Sequence, residues 1–101
     1  MNADDISMVI DGLRDDSGRK TRLTAKCAII WSKVENTVAI SNSDGSRIYF
    51  VRMTSRPDDK LEVRFKNEDD FADFVEQLAE RLDLKSNQTH QTETTTVYRF
   101  A

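Results

Sequence analysis

The hydrophobic positions of this chain repeat with two different periods, and the switch between them marks out its elements. From Lys60 to Lys66, apolar Leu61, Val63 and Phe65 alternate with charged Glu62, Arg64 and Lys66. That is the pattern of a strand with one face in a core and the other in water. Directly afterwards the period lengthens. Phe71, Phe74, Val75, Leu78 and Leu82 recur at i, i+3, i+4, i+7 and i+11, one stripe on a helix from about Glu68 to Leu84. Asn67 is placed to cap it, with Asp70 at the third position. Glu68, Asp69 and Asp70 meet the positive end of the helix dipole, and Arg81 and Lys85 the negative end. Each stripe residue contributes about 1.5–3 kcal/mol on burial, so this helix is a principal source of stability.

Upstream, Ala25, Cys27, Ile29 and Trp31 alternate with Lys26, Ala28 and Ile30, which predicts a strand from Leu23 to Trp31. Thr37 to Ser41 forms a second. Asn42-Ser43-Asp44-Gly45 is a turn signal, since Gly accepts positive φ and Asn or Asp tolerates it. A third strand follows from Arg47 to Met53, and Ser55 to Asp59, with the chain's one proline, makes the next loop. Residues 4–13 fit two readings. Ile6, Val9, Ile10 and Leu13 have helical spacing with Asp4 or Asp5 as cap, whereas Ile6, Met8 and Ile10 alternate as in a strand. The helix fits slightly better. Asp15-Asp16-Ser17-Gly18 ends that element as a loop.

Residues 86–96 contain nothing apolar and read as a flexible polar tether. Val97, Tyr98 and Phe100 then restore β propensity. The expected organisation is one α+β domain over residues 1–85, a tether over 86–96 and a β-prone segment over 97–101. Within the domain, an antiparallel meander of four to six strands packs against one long amphipathic helix. An isolated strand gains little in water, so the C-terminal segment should pair with a sheet edge, either its own or that of a second copy.

One helix covers only one face of such a sheet. In the strand from Arg47, Ile48 and Phe50 lie on one face and Tyr49, Val51 and Met53 on the other. The second face must be covered by residues 6–13, by the C-terminal segment or by a partner molecule. Tyr49, Val51, Met53, Val97, Tyr98 and Phe100 are therefore the candidate partner-binding residues.

With 101 residues the chain has apolar material for one core, burying roughly 60–65% of its unfolded surface. A charged fraction of 33% against 38% hydrophobic implies a heavily solvated exterior. The net charge of −3 offers no footprint for nucleic acid or an anionic membrane. Charge is unevenly spread, however. Residues 26–66 hold eight bases and five acids, whereas residues 67–101 hold eight acids and three bases. The outer face of the long helix (Glu68, Asp69, Asp73, Glu76, Glu80, Asp83) is acidic, which suits solvation or a basic partner. Cys27 alone excludes an internal disulfide and suggests a reducing compartment. No apolar run approaches the ~20 residues of a membrane span, and Asp4 and Asp5 stand where a secretory signal would be basic. An intracellular location, cytoplasmic or nuclear, is expected.

The residue types that catalysis needs do not assemble. His90 lies in the polar stretch, and Cys27 alternates with Ala25 and Ile29 as a small core residue does. A zinc site takes about four Cys or His ligands, and the glycines are isolated. The acidic pairs at 4–5, 15–16, 58–59 and 69–70 sit in loops or at helix starts. Trp31 suits a core or rim position. No catalytic residue, metal or cofactor is expected. Arg19, Lys20 and Arg22, with Arg14 upstream, form the one basic cluster, and Asp15 and Asp16 beside it oppose an anion.

Residues 61–78, running Leu-Glu-Val-Arg-Phe-Lys-Asn-Glu into the helix, resemble the end of a pleckstrin-homology-like domain, nearest to the Ran-binding and EVH1 branches. The resemblance extends from Lys60 to Leu82, about a quarter of the chain. It implies a bent antiparallel barrel plugged by the helix, and protein, peptide or phosphoinositide binding. The Lys20-x-Arg22-Leu23 run in the 14–22 loop would correspond to the lipid site. The family has seven strands, whereas four are evident here before the helix, or five if residues 5–13 are extended, and a segment follows the helix. The order of four strands and a helix is also similar to single-stranded nucleic-acid binders of the PUR type. These use a basic, aromatic sheet face, for which Arg47, Tyr49, Arg64 and Lys66 would serve, interrupted by Glu62. The expected function is a non-enzymatic protein–protein interaction module acting through a sheet face or edge strand. Its partner would be another protein, a peptide or a second copy. Nucleic-acid binding by the sheet face and phosphoinositide binding at the 14–22 loop are the alternatives.

Overall fold

A computed structural model describes residues 3–50 and 63–101. Along the chain these form α1 (Ala3–Asp11), β1 (Leu13–Arg14), β2 (Ala28–Ser32), β3 (Thr37–Ser41), β4 (Arg47–Phe50), α2 (Glu68–Arg81), β5 (Ser86–Gln91) and β6 (Thr95–Phe100). The strands make one sheet in the order β1-β4-β3-β2-β6-β5, with every neighbour antiparallel. The class is α+β as the pattern implies. The sheet is open, however, and does not close into the barrel that the pleckstrin-homology resemblance implies.

The helix read from the apolar stripe is α2. Asn67 accepts the Asp70 N–H on its Oδ1 at 2.9 Å, so the cap is as expected. The chain leaves α2 through Asp83 at φ +55°, and the Leu84 N–H returns to the Ala79 carbonyl at 2.8 Å. That reversal lays the following residues back along the sheet. In α1 the helical spacing prevails over the alternating one: Ile6 and Val9 are buried and Met8 is exposed. The Gly12 N–H closes the helix on the Met8 and Val9 carbonyls, and Leu13 begins β1. The two helices pack on each other and on the sheet.

The strand expected from Leu23 is shorter than its alternation suggests. Lys26 adopts φ +73° in a turn closed by the Cys27 N–H on the Thr24 carbonyl, so β2 starts at Ala28 and Ala25 is exposed. The 42–45 turn forms as expected, with Gly45 at φ +84° and the Asn42 N–H on the Ser46 carbonyl at 2.8 Å. The third strand is seen as Arg47–Phe50; Val51, Met53 and the 55–59 loop lie outside the described residues. Of the strand expected at 60–66, residues 63–66 carry the predicted burial, with Val63 and Phe65 in and Arg64 and Lys66 out. They are not in the sheet. The backbone of Phe65 bonds instead to the side chain of Asn36.

The largest correction concerns residues 86–96. Their composition predicts a flexible tether, yet Ser86–Gln91 is the edge strand β5, joined to β6 by a tight turn in which the Thr92 N–H meets the Thr95 carbonyl at 2.8 Å. An edge strand with water beside it needs no apolar residue, because backbone pairing supplies its stability. The C-terminal segment pairs within its own molecule. As β6 it lies between β2 and β5, an interior position.

Register divides the sheet into two faces. Ile29, Ile40 and Tyr98 stand opposite one another, as do Trp31, Val38 and Thr96, and Ile40 faces Ile48. This inner face, with Phe50 and Phe100, packs against Phe71, Phe74, Val75 and Leu78 of α2 and Ile6 and Val9 of α1. Trp31, Phe65, Phe71, Phe74 and Tyr98 form a chain of ring contacts with centroids 5.1–5.9 Å apart.

Candidate protein-binding edge

The structure distributes the candidate residues over both faces. Tyr49 and Val97 are half-buried on the outer face. Phe100 is 2% exposed and Tyr98 lies with its ring edge-on to Phe71, so both are committed to the inner face and the core. A partner on the outer face would reach Tyr49 and Val97 but neither of those two. Val51 and Met53 lie outside the described residues.

Arg19, Lys20 and Arg22 are exposed, and their loop folds against β1: Lys20 bridges to Arg14, the Thr21 N–H meets the Leu13 carbonyl and the Asp15 N–H the Arg19 carbonyl. The Asp15 carboxylate sits inside this loop. Hydrogen bonds from the Ser17 hydroxyl and the Arg19 N–H hold its carboxyl below the usual range, so an anion would meet a fixed negative charge. Arg64 and Lys66 lie outside the sheet, in the segment tied to Asn36, and do not join Arg47 and Tyr49 in one basic strip.

Among the described residues no group of His, Cys, Asp and Glu could hold a metal ion, and no helix is long and apolar enough to cross a membrane. Cys27 is buried, its Sγ 3.4 Å from the Thr24 N–H and from Asn42 Oδ1. His90 is exposed on β5, opposite Val97. A cleft between the helices, lined by Ile6, Gln77, Glu80 and Arg81, encloses about 170 Å³. That is below the roughly 300 Å³ at which small-molecule pockets begin.

The two edges of the sheet differ in length and in what covers them. Strand β1 has two residues, and the 19–21 segment occupies its outer side. Strand β5 has six, and among the described residues its neighbour is β6 alone. Natural edges are usually blunted by Lys, Pro or an inward charge. The β5 sequence, Ser-Asn-Gln-Thr-His-Gln, has no Lys, Arg, Asp, Glu or Pro, and its one irregularity is a bulge between Gln88 and His90.

The pairing fixes which groups point outward. Lys85 and Ala101 exchange both backbone hydrogen bonds, at 3.0 and 2.8 Å, and antiparallel ladders alternate. Asn87 therefore faces β6, while Ser86 and Gln88 turn their N–H and C=O groups to the open side. Side chains stiffen the strand: Tyr98 donates to Gln88 Oε1 at 3.0 Å, and Gln88 Nε2 to Gln91 Oε1 at 2.7 Å.

A polar cluster anchors the far end of the β5–β6 hairpin. Thr96, with no exposed surface, donates to the Glu68 carboxylate, which also pairs with Lys33. Lys33 Nζ donates to the Thr92 carbonyl at 2.6 Å and its N–H to the Thr94 carbonyl at 2.9 Å. Burial pushes the Glu68 carboxyl up, but the bonds from Lys33 and Thr96 and the Lys33 charge outweigh this and leave it below its ordinary value. The Tyr98 hydroxyl is raised, first by burial and then by the charges of Glu68 and Asp69.

Sequence reasoning missed β5 because it sought apolar alternation. The available signal was the β-prone run at 97–100 preceded at hairpin distance by a Thr- and Gln-rich run of similar length. No protein-family model matches the chain, and no curated protein and no solved structure matches it either.

Proposed function

We propose that this domain is a non-enzymatic protein-binding module that takes an extended segment of a partner along the open edge of β5. The observation that carries this reading is the edge itself: six residues, unblunted by charge or proline, with the backbone groups of Ser86 and Gln88 turned outward. Strand addition draws affinity from such main-chain groups and specificity from alternate side chains. The Glu68, Lys33 and Thr96 cluster holds the hairpin in place beforehand, which lowers the ordering cost of binding.

The test is to select short unstructured peptides from a random library on the immobilised full chain, then map them by amide chemical shifts. Perturbations should centre on residues 86–91. Gln88→Pro removes an outward N–H without removing a ladder bond, so it should abolish binding while the melt stays cooperative. Ligands that map to the outer face around Tyr49 and Val97, and that survive Gln88→Pro, would overturn the edge reading.

A further inference from the structure

We propose that the outer face of the sheet is a docking surface for a second copy of this chain, which presents the acidic outward side of its α2 to that face. This surface is separate from the β5 edge and goes beyond the reading above.

Charge is segregated between the two layers of the domain. The six strands contain Arg14, Arg47 and Arg99 and no acidic residue. The two helices contain nine acidic residues and a single base, Arg81. Register puts all three strand arginines on the outer face. Arg47 pairs with Ser41, Ser41 with Ala28 and Ala28 with Arg99, so these four form one row across the strands. Tyr49, two residues beyond Arg47, pairs with Arg14, which bridges to Lys20.

The row has the dimensions to seat a helix. Arg47 and Arg99 stand three strand spacings apart, roughly 14 Å. Both are exposed, and among the described residues neither makes a hydrogen bond or an ion pair. The short side chains of Ser41 and Ala28 between them leave a shallow floor. On α2, Asp69, Asp73, Glu76 and Glu80 follow at i, i+4, i+7 and i+11, a line opposite the buried stripe. All four are exposed, and at 1.5 Å per residue the line is roughly 16 Å long. Asp73 accepts from Gln77 at 2.8 Å, and among the described residues the other three make no hydrogen bond or ion pair. The acidic line and the arginine row match in sign and in length.

The surrounding charges reverse neither sign. Lys26 and Lys85 flank the Arg99 end of the row and Asp44 the Arg47 end, with the carboxylate of Ala101 beside Lys85. Asp15 and Asp16 share their loop with Arg19, Lys20 and Arg22, and Glu35 and Glu93 lie in turns at the far ends of the strands. On the helix side, Arg81 turns to Ser7 of α1. Two sheet faces repel each other, as do two α2 faces, so a symmetric pair is disfavoured and opposite faces attract. Because the two surfaces lie on opposite sides of one domain, the contact repeats head to tail and does not close.

Sedimentation equilibrium of the full chain tests this. At about 10 mM salt, where the screening length is roughly 30 Å, the weight-average mass should rise with concentration past twice that of one chain. The association constant should fall about tenfold at physiological salt. In a dilution series of the parent, amide shifts should move around Arg47 and Arg99 and along 69–80. Arg47→Glu with Arg99→Glu should leave a monomer, and so should Asp69→Lys with Glu76→Lys, all at exposed positions, with both melts still cooperative. Mixing the two variants should restore association, since each then offers the charge that the other lacks. A parent that stays monomeric at ~1 mM in low salt, a mass that levels off at twice one chain, or a mixture of folded variants that stays monomeric overturns the proposal. Shifts confined to 86–91, or association abolished by Gln88→Pro, would place the contact at the β5 edge and overturn it too. Peptides that fail to bind β5 would remove the edge reading and leave this one standing.

Discussion

The side-chain amide of Asn36 holds Phe65 by both of its backbone groups. Oδ1 accepts the Phe65 N–H at 3.0 Å, and Nδ2 donates to the Phe65 carbonyl at 2.9 Å. The same Oδ1 accepts the indole N–H of Trp31 at 2.9 Å. Asn36 thus does for residue 65 what a neighbouring strand would do, and it fixes the rings of Phe65 and Trp31 in edge-to-face contact. Its φ of +53° is one that Asn tolerates better than most residues.

Asn36→Asp keeps the acceptor and loses the donor, so a carboxylate oxygen would face the Phe65 carbonyl. The expected cost is about 1–3 kcal/mol at neutral pH, since a half-buried carbonyl is left unpaired beside a charge. Urea denaturation should show a lower midpoint with an unchanged slope. A parental midpoint would mean that the Asn36 bonds do not hold this segment.

Leu78→Asp should abolish the cooperative transition. Leu78 is fully buried at the centre of the α2 stripe, and an unpaired carboxylate there costs several kcal/mol against a total of ~5–15. A melt within a few degrees of the parent would contradict the packing of α2 on the sheet.

The elements legible in the sequence are those whose burial is lopsided. The stripe of α2 spans more than three turns, so its period is unmistakable, and Asn67 announces its start. In α1 nine residues are too few to separate helix from strand by spacing, and the decision came from which of Ile6, Met8, Val9 and Ile10 the second helix could cover. Turns at Lys26 and Asn36 rest on positive φ without glycine, which leaves little trace in a sequence. Alternation at 63–66 reported correctly which side chains are buried, but it cannot tell a strand partner from a side chain that imitates one. The candidate site was half legible for a related reason. The β propensity of 97–100 showed, whereas β5 is defined by backbone groups that every residue carries.

Acid should weaken the domain through Glu68. Its folded pKa lies below the ordinary 4.5, so the stability it contributes is present above 4.5 and is lost as the pH falls through the lower folded value. Glu68→Gln should be less stable than the parent at neutral pH, with the gap closing below pH 4.5. Asp15 and Asp44, also lowered, by hydrogen bonds first from Ser17 and Ser46, are present in both proteins and cancel in the comparison. Thermal melts of the two across this range measure the gap. A difference that does not change with pH would mean that the Lys33 and Thr96 partners do not favour the charged form.

Truncation after Lys85 should remove the cooperative fold, since it deletes an interior strand together with the edge. Strand β6 pairs with β2 from Ala28↔Arg99 to Ser32↔Thr95, and continues through the Lys26 N–H on the Phe100 carbonyl at 2.7 Å. It also brings Thr96 and Phe100 into the core and the Tyr98 ring onto Phe71. Burial of Phe100 alone sets a scale, because Phe→Ala in a core costs about 3–5 kcal/mol. Losing it together with the β2 ladder should exceed the stability of a domain this size. A synthetic peptide of residues 86–101 added to the truncated chain should restore the transition in proportion to its concentration, because the hairpin carries its own turn and both strands. A truncated chain that melts at the parental temperature without the peptide would show that β6 contributes nothing to the core, and the edge that β5 presents would then have no anchored sheet behind it.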